Sequence, residues 1–157
     1  MIEGGGGMQS FEPKDPDFGE KVKRSFNRQK FMMLIGARLA SVRPGYCEIH
    51  LPFRDDLTQH HGYFHAGVIG TLADNAGGFA AYSLMPAGQT VLTVEYKLNL
   101  LSPGEGQFLM ARGEVMKPGK TLTVCRTEVF VEKEGNRKLC ATSQMTLIAV
   151  AGWEEVN

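Results

Sequence analysis

Hydrophobic and polar positions change period several times along the chain, and each change marks an element. From Phe18 to Gly36 charged positions (Glu20, Lys21, Lys23, Arg24) give way to apolar ones (Phe26, Phe31, Met32, Leu34, Ile35). With Pro16 just ahead, where a helix can begin, the spacing predicts one amphipathic amino-terminal helix. Ala37–Val42 and Tyr46–Pro52 read as two short strands joined by a tight turn at Pro44-Gly45. After the polar link Arg54-Asp55-Asp56 comes a stretch rich in glycine, alanine and bulky apolar residues. Its centre, Ala66 to Leu84, is too long for a strand and apolar nearly all round, so it predicts a helix enclosed by the rest of the chain.

Four β-type runs follow, Thr90–Leu101, Gln107–Met116, Thr121–Glu132 and Lys138–Val150. The turn signals between them, Ser102-Pro103-Gly104, Pro118-Gly119 and Glu134-Gly135-Asn136, are short enough to make each run the antiparallel neighbour of the next. The first run alternates, with Leu92, Val94, Tyr96 and Leu98 on one face and Thr93, Glu95, Lys97 and Asn99 on the other. A helix apolar on all sides needs a concave apolar surface to enclose it. The expectation is therefore an α+β chain, a curved antiparallel sheet wrapped around one long central helix with a further helix at the amino terminus, which is the hotdog fold. Residues 18–152 form the single domain and 1–17 a flexible lead segment, of which the glycine-rich Met1–Gly7 is set aside.

Composition narrows the function. Seventeen basic residues balance 17 acidic ones, so no cationic surplus invites nucleic acid or an anionic membrane surface. Cys47, Cys125 and Cys140 are odd in number and widely spaced, lacking the close pairs of zinc or redox motifs. They read as reduced core thiols. No stretch approaches a membrane span, and a cytoplasmic location is expected by default.

Between Leu57 and Val94 the only Asp, Glu, Lys or Arg is Asp74, in the middle of the apolar helix. An ionised carboxylate there loses solvation unless it is paired, hydrogen-bonded or employed. It either accepts hydrogen bonds locally, from a backbone turn or from Thr71, or it faces a cleft as a general base or nucleophile whose pKa burial raises. Glycines and alanines around it leave room for a ligand, which favours the second reading.

Three of the four histidines lie in Gln59-His60-His61-Gly62-Tyr63-Phe64-His65. No carboxylate or cysteine nearby completes a ligand set, so no metal or other cofactor is expected. The free N–H groups of Ala66 and Gly67 would sit at the positive end of the central helix, able to hold a carbonyl oxygen as it gains charge; close packing explains two small residues equally well. His65 and Asp74 are nine residues apart, about 13 Å along a helix axis and on roughly opposite faces. They cannot meet within one chain. If both serve one site, two copies with antiparallel central helices must share it, so a homodimer is expected, with a dimer of dimers as an extension.

The sequence resembles the phenylacetate-degradation type (PaaI-type) hotdog acyl-CoA thioesterases from about Ala37 to Val150. The resemblance is carried by His65-Ala66-Gly67 in place of a His-Gly-Gly, by Leu72-Ala73-Asp74 nine residues later, by Thr93 to Pro103 in the next strand and by Lys117 to Leu122 at the following hairpin. It implies hydrolysis of a thioester between coenzyme A and an acyl group, with Asp74 as the catalytic acid residue, His65 orienting the substrate, the Ala66 N–H polarising the carbonyl and Thr93 helping to position the attacking water. It also implies coenzyme A phosphates near Ser102, Pro103, Lys117 and Lys120. Two positions depart from the family pattern. Gln59 stands where an asparagine is common, and Ala66 replaces a glycine, which preserves the N–H only where positive φ is not required.

A non-catalytic acyl-CoA binding module would keep the pocket but has no use for Asp74 in its apolar setting. A hotdog hydratase would need a histidine and aspartate close together in one site, and helix geometry points His65 away. Phe64, Phe79, Tyr82 and Met85 could shape an acyl pocket, although such side chains on a buried helix usually belong to the core.

Overall fold

The computed structural model describes residues 10–153. Helices α1 (Phe18–Arg28) and α2 (Lys30–Ile35) lead into strands β1 (Arg38–Arg43) and β2 (Tyr46–Pro52). A short 3-10 turn at Asp55–Leu57 precedes the central helix α3 (Ala66–Tyr82), and β3 (Gln89–Leu100), β4 (Phe108–Lys117), β5 (Leu122–Lys133) and β6 (Asn136–Ala151) follow. All six strands form one antiparallel sheet in the order β1-β2-β4-β5-β6-β3, curved around α3. The expected hotdog architecture is present.

The concave face of the sheet and α3 make the core. Ile49, Leu51, Leu109, Val129, Met145 and Leu147 meet Leu72, Ala73, Ala76 and Phe79, all buried. Approach is closest where β4 passes under the helix. A Cβ on Gly113 would lie 2.2 Å from the carbonyl oxygen of Ala76, so only glycine lets strand and helix backbones come this near. Cys47, Cys125 and Cys140 are buried free thiols, and burial pushes their pKa values up, to about 12 for Cys125 and about 11 for Cys140.

Three expectations need correction. The amino-terminal helix is two helices, broken at Gln29, whose ψ of 96° is extended. Val22 and Phe26 face the core from α1, while Met32 and Ile35 are buried from α2. A continuous helix would turn Ile35 about 220° away from Val22, so the break is what lets both sets reach the interior. Second, β3 is not the neighbour of β4. It pairs with β6 at the sheet edge, and residues 101–107 cross over, tied down where Leu101 N–H donates to Cys140 O at 2.8 Å and Phe64 N–H to Gly104 O at 2.9 Å.

Third, β3 does not alternate throughout. Thr93 pairs with Leu147 but Glu95 pairs with Thr146, leaving Val94 as an extra residue in a β-bulge. Beyond the bulge the faces exchange. Tyr96 and Leu98 approach α3 at Gly70, and so does Thr93, at Asp74, although strict alternation puts Thr93 on the opposite face from both.

Residues 10–17 lie against the domain: Phe11 packs on Gly45, and Asp15 pairs with the buried Lys21 at 3.1 Å. Lys21 also donates to Met85 O at 2.6 Å and sits over the Tyr82 ring, clasping α1 to the end of α3. Met1–Gly7 lies outside the described residues. No helix among the described residues is long and apolar enough to cross a membrane.

Candidate active site

Asp74 projects from the middle of α3 into a cleft of about 540 Å³ between α1, α3 and β3. It is half-buried rather than sealed, so the solvation lost by its charge is partial. Its partner is not Thr71, whose hydroxyl instead donates to Gly67 O at 2.9 Å. The hydroxyl of Thr93 donates to Asp74 Oδ1 at 2.7 Å, a bond the bulge at Val94 makes possible. The second carboxylate oxygen is left to the cleft.

Ser25, Arg28 and Gln29 at the end of α1 form one wall of the cleft; Gly78, Phe79, Val91 and Leu92 supply apolar surface. Of the aromatic and methionine side chains considered for an acyl pocket, only Phe79 reaches it, and Phe64, Tyr82 and Met85 are core. Asn75 also lines the cleft. Its Nδ2 donates to Thr71 O at 3.2 Å, and its Oδ1 is buried with no donor among the described residues. Sequence reasoning missed Asn75 and the α1 wall.

His65 is the N-cap of α3 and is exposed. Its Nδ1 accepts the N–H of Gly67 at 2.9 Å. Gly67 therefore has no free N–H, correcting the expectation of two open donors, and the tip of the helix offers the N–H of Ala66 alone. A Cβ at Gly67 would stand 3.0 Å from that histidine nitrogen, so glycine accommodates the cap. Ala66 has no positive φ, and alanine there costs nothing in backbone strain. Gln59 turns back on its own loop, its Oε1 accepting from His61 N–H and its N–H donating to Tyr63 O at 2.9 Å.

His65, Ala66, Gly67 and Gln59 do not line the cleft that holds Asp74. The residues expected near coenzyme A are likewise divided. Ser102, whose hydroxyl donates to Leu139 O at 3.1 Å, and Pro103 follow the end of β3, whereas Lys120 lies beside Gln89 at its start. A strand of 12 residues puts roughly 35 Å between those ends. Lys117 closes β4 on the same hairpin as Lys120 and is exposed.

On the outer face of the sheet Glu48 accepts from Tyr46 at 2.7 Å and Arg112 at 2.9 Å, and meets His50 at 2.7 Å. Burial pushes the Glu48 carboxyl up, but those three hydrogen bonds together hold it below the usual range. This cluster lies across the sheet from the cleft. No group of three or more His, Cys, Asp or Glu among the described residues is placed to hold a metal ion.

The sequence profile of the Thioesterase superfamily matches residues 61–138, from the loop before α3 into β6. A crystal structure of a thioesterase family protein from Silicibacter pomeroyi is 44% identical, with a TM-score of 0.85, covering 86% of this chain and 99% of that one. The 1,4-dihydroxy-2-naphthoyl-CoA hydrolase of Listeria monocytogenes is 27% identical over 113 residues, 72% of this chain and 89% of the relative. The PaaI protein of E. coli, from the phenylacetic acid degradation operon, shares the fold with a TM-score of 0.78 at 18% identity, covering 88% of this chain and 97% of that one.

Proposed function

Because this chain belongs to the hotdog thioesterase superfamily and is a thioester hydrolase, we propose that it hydrolyses acyl-CoA thioesters at a site built by two copies of itself. The observation that carries the reading is Asp74, the one acid on α3, opening into a cleft with one carboxylate oxygen held by Thr93. A carboxylate so fixed can take a proton from water as the water oxygen attacks the thioester carbonyl, or attack that carbon itself. In the first route the tetrahedral intermediate collapses with loss of the thiolate, which recovers the proton and leaves as coenzyme A. In the second, attack by Asp74 expels the coenzyme A thiolate and leaves an acyl-aspartate anhydride, which water hydrolyses to the free acid and the regenerated carboxylate while the thiolate takes up a proton. The named substrate of the Listeria relative, an acyl-CoA, supports this leaving group.

Charge gathers on the carbonyl oxygen in either route and needs a donor. The Ala66 N–H, at the positive end of α3, is suited to it but lies eight residues, about 12 Å along the helix axis, from Asp74. A second copy with α3 antiparallel supplies that N–H, with His65 beside it. The same twofold brings the Ser102-Pro103 end of one copy towards the Lys117 and Lys120 end of the other, joining the residues expected at the coenzyme A phosphates. In support, β3 is an edge strand that leaves Val94, Tyr96, Leu100 and Leu101 about half exposed, a surface that a partner copy would cover.

The test is release of free thiol from a panel of acyl-CoA thioesters by wild type and Asp74→Asn. Turnover by the wild type, reduced at least about a hundredfold in the variant with substrate affinity kept, is expected. Saturable binding without thiol release by the wild type would make the protein a binding module instead.

A further inference from the structure

At three of the four glycines of α3 a side chain lies against the helix. A Cβ would stand 3.0 Å from the His65 ring at Gly67, 3.4 Å from the Tyr96 hydroxyl at Gly70 and 2.0 Å from Met145 Sδ at Gly77. Gly78 is different. A Cβ there would meet only Leu147, at 3.8 Å, and its φ is not positive, so neither packing nor backbone conformation calls for glycine. Glycine is a poor helix former, and inside α3 it weakens the helix with no return in packing. What it provides is space in the cleft, which Gly78 lines one turn beyond Asp74 on the same face of the helix. Between Ile69 and Tyr82 only Thr71, Asp74, Asn75 and Gly78 are not buried, so this is the face of α3 that the rest of the chain leaves open.

Building on the thioesterase reading above, we propose that Gly78 sets the depth of the acyl subsite, and that the cleft takes acyl groups reaching at least one helix turn, about 6 Å, past the carbonyl at Asp74. The acyl chain crosses the bare backbone at Gly78 and runs along Phe79, Val91 and Leu92. Thr90 to Thr93 of β3 flank this path for roughly 10 Å, so the cleft has the length for it. Each methylene that leaves water for this apolar surface adds to binding, whereas a two-carbon acyl group ends before Gly78 and gains nothing from it. Ser102, Lys117 and Lys120, expected near the coenzyme A phosphates, do not line this cleft, which leaves it to the acyl group.

The experiment measures kcat/KM of the full chain on acetyl-, butyryl- and octanoyl-CoA, with thermal melting of each variant. The wild type is expected to favour octanoyl over acetyl by about tenfold or more, and Gly78→Leu to lower that ratio by about tenfold or more. Gly78→Ala is expected to lower the ratio by a smaller factor while melting at or above the wild-type temperature. A variant that is more stable yet discriminates less marks a glycine kept for the ligand rather than for the fold. A wild type without preference for the longer member overturns the proposal, and so does a Gly78→Ala variant that melts below wild type. A Gly78→Leu variant that loses rate equally on all three members also overturns it, and would place Gly78 against coenzyme A or a second copy of the chain. If Gly78→Leu does not fold, Gly78→Ala decides alone, and an unchanged ratio overturns the proposal. No hydrolysis of any member by the wild type, or hydrolysis that persists in Asp74→Asn, instead overturns the reading of the site on which this inference rests.

Discussion

The hydroxyl of Thr93 reaches across 2.7 Å to Oδ1 of Asp74, tying the edge strand of the sheet to the central helix at the one charged position of that helix. The bond fixes which carboxylate oxygen faces the cleft. It exists because the extra residue at Val94 turns β3 over, bringing Thr93 onto the helix side together with Tyr96 and Leu98.

Thr93→Val keeps the shape of the side chain and removes the donor. A hydrogen bond to a charged group contributes about 1.5–3 kcal/mol, so kcat should fall by about ten- to a hundredfold if the orientation of Asp74 matters in the transition state. Thr93→Ser, which retains the hydroxyl, should stay within a few-fold of wild type in the same steady-state assay. Equal rates for Val and Ser would mean that the bond serves packing alone.

Gly113→Ala tests the closest approach in the core. The new Cβ would meet the backbone of Ala76 at 2.2 Å, and a backbone cannot swing aside as a side chain can. Urea unfolding should show a loss of about 3 kcal/mol or more. Gly78→Ala is the contrast, because its Cβ would find only Leu147 at 3.8 Å, and removing a glycine from a helix interior should raise stability by up to about 1 kcal/mol.

The clasp between α1 and α3 should be visible in acid. The Asp17 N–H and then the Lys21 ammonium hold the Asp15 carboxyl below its usual range, outweighing burial, which pushes it up. A carboxyl lowered in the folded state stabilises the fold above the ordinary aspartate range, and that contribution disappears as pH falls through the lowered value. Lys21→Met should melt several degrees below wild type at neutral pH, and the gap should narrow on acidification below about pH 4. A gap that stays constant with pH would assign the loss to packing against Tyr82 rather than to the ion pair.

Much of this architecture is legible in the sequence because it rests on long, regular patterns. The uncharged run around Asp74 marks α3 within two residues of its observed end, and turn residues bracket each strand. What escaped depends on contacts between distant segments. The bulge at Val94 leaves no mark on a run that alternates without a break, the kink at Gln29 arises because Val22 and Ile35 must reach one core from two directions, and the placement of β3 beside β6 is decided by the crossing at 101–107. The site divides in the same way. Asp74 stands out by composition alone, whereas Ser25, Arg28 and Asn75 gain meaning only once α1 is laid beside α3. The Gly67 N–H was misjudged because a histidine N-cap turning back on its own helix is a local choice that spacing does not reveal.

The shared site is tested most directly by mixing two inactive variants. Asp74→Asn removes the carboxylate, and Ala66→Pro removes the N–H. Proline is well tolerated here, since Ala66 is the first helical residue and His65 already has φ −62° and ψ 138°, the conformation a residue before proline adopts. If each site takes Asp74 from one copy and the Ala66 N–H from the other, every mixed dimer regains one intact site. Co-refolding equal amounts should then restore about a quarter of wild-type thiol release. Activity no greater than the average of the two parents, with mixed dimers present, would show that each chain works alone and would contradict the account.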